Sequence, residues 1–139
     1  MAKELYELIH QYESNGDFTY ADVTSEMLDE AERRLGVTLP EEYRYFLMNY
    51  GHGGIGGIEV LGVGKNGKLF FETYTLEYRS FGMPEELVIV ENCDEWLYCI
   101  NTRNNRIVEW SLGDAEYCDA YGSFEEYLQD RVNDMIENM

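Results

Sequence analysis

Residues 31–57 read AERRLGVTLPEEYRYFLMNYGHGGIGG, and the order of their punctuation decides the fold. Ala31 and Leu35 close the apolar stripe of one helix, and Gly36 stops it, because glycine takes the left-handed conformation of a helix end without strain. Leu39-Pro40 comes next, followed by Glu41 and Glu42. Proline is tolerated in a first helical turn, and carboxylates are favourable at the positive end of a helix. Tyr43, Phe46, Leu47 and Tyr50 then share one helical face. Gly51 ends that helix, and the glycine-rich run from His52 to Gly57 reads as a flexible connection from helix to strand.

Upstream, Leu5, Leu8, Ile9 and Tyr12 predict an amphipathic helix that Asn15-Gly16 terminates. Thr24 is a suitable N-cap for the helix that reaches Gly36, with Glu26 and Asp29 near its start and Met27, Ala31 and Leu35 as its buried stripe. Downstream, the pattern changes to strands. Ile58 to Val63 and Lys68 to Glu72 flank Lys65-Asn66-Gly67, a hairpin signal. Leu87 to Val90, Trp96 to Ile100 and Ile107 to Trp110 are short runs rich in β-branched and aromatic residues. Their connections are so brief that neighbouring strands must pair antiparallel. Ser123 and Glu126 are spaced as a capping box for a last helix, with Phe124, Tyr127, Leu128, Val132, Met135 and Ile136 as its apolar face. The expectation is an α+β fold: an antiparallel meander of about five to six strands with N-terminal helices and a C-terminal helix packed on it. One domain should span residues 1–139.

Charge is the most informative bulk property. The chain carries 28 acidic and 10 basic side chains, a net charge of −18. Through Phe70 there are 12 acidic and 6 basic residues, and from Phe71 onward 16 and 4, so the excess lies in the second half. Such a surface repels phosphate backbones and anionic lipid and attracts basic partners. Direct binding to nucleic acid or membrane is therefore not expected, although solubility alone is a competing account of the charge. Cys93, Cys99 and Cys118 form no C-x-x-C pair and fit reduced thiols in a cytoplasmic protein. No apolar run approaches a membrane span, and the amino-terminal MAKELYELIHQYES is amphipathic rather than signal-like.

The quoted stretch resembles the signature of the SUKH superfamily: a Leu-Gly helix end, a Leu-Pro entry, an acidic-aromatic helix start and a glycine-rich turn. The matching positions are Leu35, Gly36, Leu39, Pro40, Tyr43, Phe46, Leu47, Tyr50, Gly51, Gly53 and Gly54. The similarity continues through Gly57 to Gly62, the strand after Pro84, Trp96, Val108-Glu109-Trp110 and the terminal Ser-Phe-x-x-Tyr-Leu helix. This resemblance implies a non-catalytic bacterial immunity protein without cofactors. Such a protein neutralises a cognate polymorphic toxin, similar to those paired with LXG-type toxins, several of which end in nuclease domains. Other members, a fungal regulator of cell-wall synthesis among them, are interaction modules, and that is the alternative reading. The motif residues themselves look structural.

No catalytic constellation emerges from the residues. The glycine run lies after a helix and lacks Lys-Ser/Thr, so it does not cradle phosphate. No Gly-x-Ser-x-Gly nucleophile accompanies His-Gly-Gly. His10 reads as packing or solvated. Glu85-Glu86, Asp94-Glu95 and Asp114-x-Glu116 lack the alternating spacing of a metal loop and read as solvated charge. A binding surface is better supported, because carboxylates mix with large rings in four places. These are Glu72, Tyr74, Glu77 and Tyr78 after the expected hairpin; Asp94, Glu95 and Trp96; Asp114, Glu116 and Tyr117; and Asp119 and Tyr121. Rings would contribute buried area to a Lys/Arg-rich partner face, and carboxylates would steer it. The competing reading places half of these rings, Trp96 and Trp110 among them, in the core.

Overall fold

The computed structural model describes residues 2–139. Three helices come first: α1 (Lys3–Tyr12), α2 (Ser25–Leu35) and α3 (Glu41–Tyr50). The Thr24 hydroxyl accepts the Met27 N–H at 3.2 Å to cap α2, and Gly36 ends it at φ +70°. Its buried stripe is Leu28, Ala31 and Leu35; Met27, expected in that stripe, is only half-buried. In α3 the expected face is fully inside, and Tyr43, Phe46 and Tyr50 pack ring against ring. Phe71 and Phe124 close on Tyr43 edge to face, at 5.8 and 5.1 Å between centroids. Aromatic pairs prefer that geometry, so α3 is the hinge of the core.

The expected flexible glycine connection is a packed one. Gly53 is bridged to Phe18 on one side and Val60 on the other, and Gly51 accepts the Val63 N–H at 2.8 Å. Gly53 sits at φ +118°, and a Cβ there would lie 2.0 Å from the Asp17 carbonyl oxygen. At Gly62 a Cβ would lie 1.8 Å from the Gly51 carbonyl oxygen. Backbone approaches this close admit only glycine. One 3-10 turn, Ile55–Gly57, follows.

The structure also corrects the expected hairpin. Ile58 to Val63 makes only isolated bridges at Val60 and Val63 instead of a strand, and the turn at Lys65-Asn66-Gly67 forms, with Gly64 N–H donating to the Lys68 carbonyl at 2.9 Å. Only an isolated Val63–Leu69 bridge follows, and the chain enters helix α4 (Phe70–Arg79). The aromatic and threonine content of this segment suits a strand, but its packing selects a helix. Phe71 and Thr75, four residues apart, are buried together, and the Thr75 hydroxyl accepts the Ile89 N–H. The sheet therefore has four strands rather than five or six: β1 (Leu87–Asn92), β2 (Leu97–Asn101), β3 (Arg106–Trp110) and β4 (Cys118–Tyr121), in that order and antiparallel throughout. Strand β4 comes from residues read as an acidic turn. It is four residues long and largely exposed, too short for alternation to show.

Two helices enclose the sheet. Helix α5 (Phe124–Glu137) begins at Ser123, whose hydroxyl accepts the Glu126 N–H; the Glu126 carboxylate reaches Gly122, one residue further back than a capping box requires. Tyr78 of α4 meets Trp110, which pairs with Leu97, while Tyr127 of α5 meets the neighbouring residue, Tyr98. Successive strand residues point to opposite faces, so α4 and α5 cover opposite faces, and β2 is buried throughout. The Leu61 N–H donates to the Val90 carbonyl at 2.7 Å and shields the outer edge of β1. The other edge, β4, pairs with no further strand among the described residues.

Candidate functional site

The structure divides the twelve expected site residues. Glu72 is buried in a fork with Arg34 (Nη2 to Oε1 2.8 Å), tying α4 to α2. The Tyr117 hydroxyl donates to Glu86 at 2.7 Å and accepts from the Asn101 amide at 3.3 Å. That donation from Tyr117 is the main reason the Glu86 carboxyl is held below the usual carboxylate range; burial opposes it and Arg103 assists. Asp119 pairs with Arg106 at 3.0 Å across β3 and β4. Tyr121 donates to Asp130 at 2.6 Å and lays its ring 5.8 Å from Tyr127. Trp96 is half-buried, edge-on to Tyr98 at 6.0 Å. These five side chains all make contacts within the chain.

The remaining residues lie on segments the fold brings into contact around Tyr78. Its ring stands edge-on to Trp110 at 6.4 Å, and the Trp110 indole N–H donates to the Asp114 carbonyl at 2.9 Å. The Ser111 hydroxyl donates to the Glu95 carbonyl at 3.1 Å, and the Asn92 amide lies 3.5 Å from the Tyr78 hydroxyl. The end of α4, the β1–β2 turn and the β3–β4 loop thus form one surface. Asp94 sits at φ +67° in that turn, with its N–H donated to the Asn92 side chain. Glu77, Asp94, Glu95, Asp114 and Glu116 are exposed, and none makes an ion pair among the described residues.

The outward face of α4 adds what the sequence reading missed. Phe70 stacks on Tyr74 at 6.4 Å, and Tyr78 meets Phe81 edge to face at 6.1 Å. Positions 70, 74, 78 and 81 line one side of a helical path, so the four rings make a ridge. Tyr74 is 38% and Phe81 58% exposed, and Leu112 in the adjoining loop is 62% exposed. The spacing of the rings was visible in the sequence, but a strand assignment up to Glu72 divided them.

A separate open groove lies between the start of α1, β4 and α5. Glu4, Asp119, Glu125, Glu126 and Asp130 line it against Lys3 and Arg106. Burial pushes the Glu125 carboxyl up, and neighbouring Glu42 adds to the shift.

Elsewhere the chemistry is quiet. Burial, with Glu91 beside it, pushes the Cys93 thiol up to about 11, and burial alone raises Cys99 further. A reactive cysteine needs the opposite shift. His52 Nδ1 accepts the Gly62 N–H at 3.0 Å while Nε2 lies 3.1 Å from Glu59, so the ring braces the glycine segment. Among the described residues no three His, Cys, Asp or Glu side chains converge to hold a metal ion. Nor is any helix among them long and apolar enough to cross a membrane.

Two comparisons place the chain among known proteins. The model of the SMI1-KNR4 cell-wall family, one of the SUKH group, matches residues 4–133. A crystal structure of a protein from Pseudomonas syringae pv. tomato superposes with a TM-score of 0.73 at 19% identity, covering 92% of this chain and 96% of the other. At that identity the likeness shows the shared fold.

Proposed function

Because the chain belongs to the SMI1-KNR4 family, a SUKH family of immunity and regulatory interaction modules, we propose that it is an immunity protein that neutralises a cognate toxin by stoichiometric binding. The observation that carries this reading is the surface around Tyr78: five unpaired exposed carboxylates beside exposed rings. Carboxylates without internal partners are free to meet the Lys and Arg of another protein, and desolvated rings supply the binding energy. The net charge of −18 favours a basic partner, and a nuclease domain, basic because it holds nucleic acid, fits best. An LXG-type toxin carrying such a domain is the proposed partner class, the cytoplasm the proposed site of action, and the mode inhibition without catalysis.

Co-expression tests this directly. The protein should restore growth to cells producing the toxin domain encoded beside it, and the purified pair should form a 1:1 complex that weakens between 50 and 500 mM salt. Unchanged lethality, together with recovery of host regulatory proteins in a pull-down, would replace immunity with the regulatory-module reading.

A further inference from the structure

The outward face of α4 is only partly covered: Phe70 lies against His52 at 5.0 Å and Tyr78 against Trp110 at 6.4 Å, while Tyr74 and, in the turn just past the helix, Phe81 face water. The inward side of the same helix already anchors it through Phe71, Thr75 and the Glu72–Arg34 fork. The ridge rings therefore stand on or just past an anchored helix and pack in two pairs, Phe70–Tyr74 and Tyr78–Phe81, so little rotamer freedom remains to be lost when a partner arrives. Large rings left in water on a rigid helix are the usual material of an interface centre.

The ridge is also electrically polar. At its Phe70 end the Lys68 ammonium lies 5.4 Å from the ring centroid. At its Phe81 end Tyr78 joins the turn carrying Asp94 and Glu95 and the loop carrying Asp114. Glu77 projects from the same helical side.

We infer that the Phe70–Tyr74–Tyr78–Phe81 ridge is the centre of a protein-docking surface whose occupant is a polypeptide segment with apolar residues along the ridge and Lys or Arg residues at the Phe81 end. This locates the contact within the immunity reading and rests on it for the partner's biological identity. Charge complementarity chooses the occupant: a second copy of this chain, also at −18, would bring carboxylates against carboxylates.

The test uses the full-length protein. A phage library of randomised 12-residue peptides is panned on it, and recovered peptides are synthesised and titrated. The panel is wild type, Tyr74→Ala/Phe81→Ala, Asp94→Asn/Asp114→Asn and Glu125→Gln/Glu126→Gln. Recovered peptides should combine Leu, Ile or Phe with Lys or Arg. The ridge variant should lose at least about tenfold in affinity, the Asp94/Asp114 variant should show a flatter salt dependence, and the groove variant should match wild type. Thermal unfolding within about 2 °C of wild type shows that each variant folds.

Equal binding by the ridge variant, loss confined to the groove variant, or recovery of no such peptides overturns the inference. Toxin co-expression separates this from the wider reading. Protection that survives Tyr74→Ala/Phe81→Ala removes the ridge and leaves immunity standing. Ridge-dependent peptide binding without protection does the reverse.

Discussion

Helices α4 and α5 lie on opposite faces of one sheet, and each is latched by an arginine–glutamate fork, yet they spend their aromatic residues differently. In α5 the rings of Phe124 and Tyr127 are fully buried. Arg131 grips Glu91 with bonds of 2.9 and 2.6 Å, and the Tyr127 hydroxyl adds a third at 2.7 Å. In α4 the fork from Arg34 holds Glu72, but the Arg34 side chain is 49% exposed, against 25% for Arg131. Tyr74 of α4 and Phe81, just past its end, face water. Similar residues in similar secondary structure thus stabilise the fold on one side and remain available on the other. Burial, not residue type, separates a core ring from a binding ring.

Six substitutions probe these roles. The largest effect is expected from Phe124→Ala, which empties a fully buried ring site and should cost about 3–5 kcal/mol in urea unfolding; a loss under 1 kcal/mol would mean α5 is not the structural helix. Arg131→Met leaves the Glu91 carboxylate buried without its cation and should cost roughly 2–3 kcal/mol, the low side for an orphaned buried charge because the guanidinium is partly solvated. Arg34→Met should cost less than Arg131→Met, since the Arg34 guanidinium is the more exposed of the two and water screens it. If the two arginine variants are equally unstable, the latches are equivalent and the contrast breaks.

Tyr117→Phe should give a small stability effect, less than about 1 kcal/mol at pH 7. The sign of its pH dependence follows from Glu86, whose folded pKa is lowered first by the Tyr117 hydrogen bond. A lowered carboxylate stabilises above its ordinary pKa of about 4.3, and the contribution disappears as pH falls through the folded value. The difference between variant and wild type should therefore shrink below pH 4 in parallel unfolding curves. A difference that persists at low pH would mean Tyr117 acts by packing alone. Against all of these, Tyr74→Ala and Phe81→Ala should leave unfolding within about 0.5 kcal/mol of wild type.

Much of the architecture was legible residue by residue. Thr24, Gly36, Gly51 and Ser123 mark helix ends because a cap or a left-handed glycine acts on its immediate neighbours. Strands β1 and β2 were readable because doubly covered strands are largely apolar, and β3 because of its β-branched and aromatic residues. The candidate surface was only partly legible. Asp94, Glu95 and Asp114 were read as acidic turn residues, Phe70, Phe81 and Leu112 were not singled out, and Glu72 and Tyr117 are engaged in hydrogen bonds with Arg34 and Glu86. A ring or a carboxylate carries no mark of which way it will point.

The sequence by itself determined the ends of α2 and α3 and the start of α5, the buried face of α3, the antiparallel order of β1 to β3 and the acidic excess of the second half, because each depends on neighbours within a few positions or on composition; in α1 it missed buried Tyr6. Only the tertiary structure decided that residues 70–79 are helical, that Cys118–Tyr121 is an edge strand, and that Phe70, Tyr74, Tyr78 and Phe81 fall on one side with Tyr74 and Phe81 exposed. Those outcomes depend on Arg34, Ile89 and Trp110, which lie far from these segments along the chain and reach them only when the core closes.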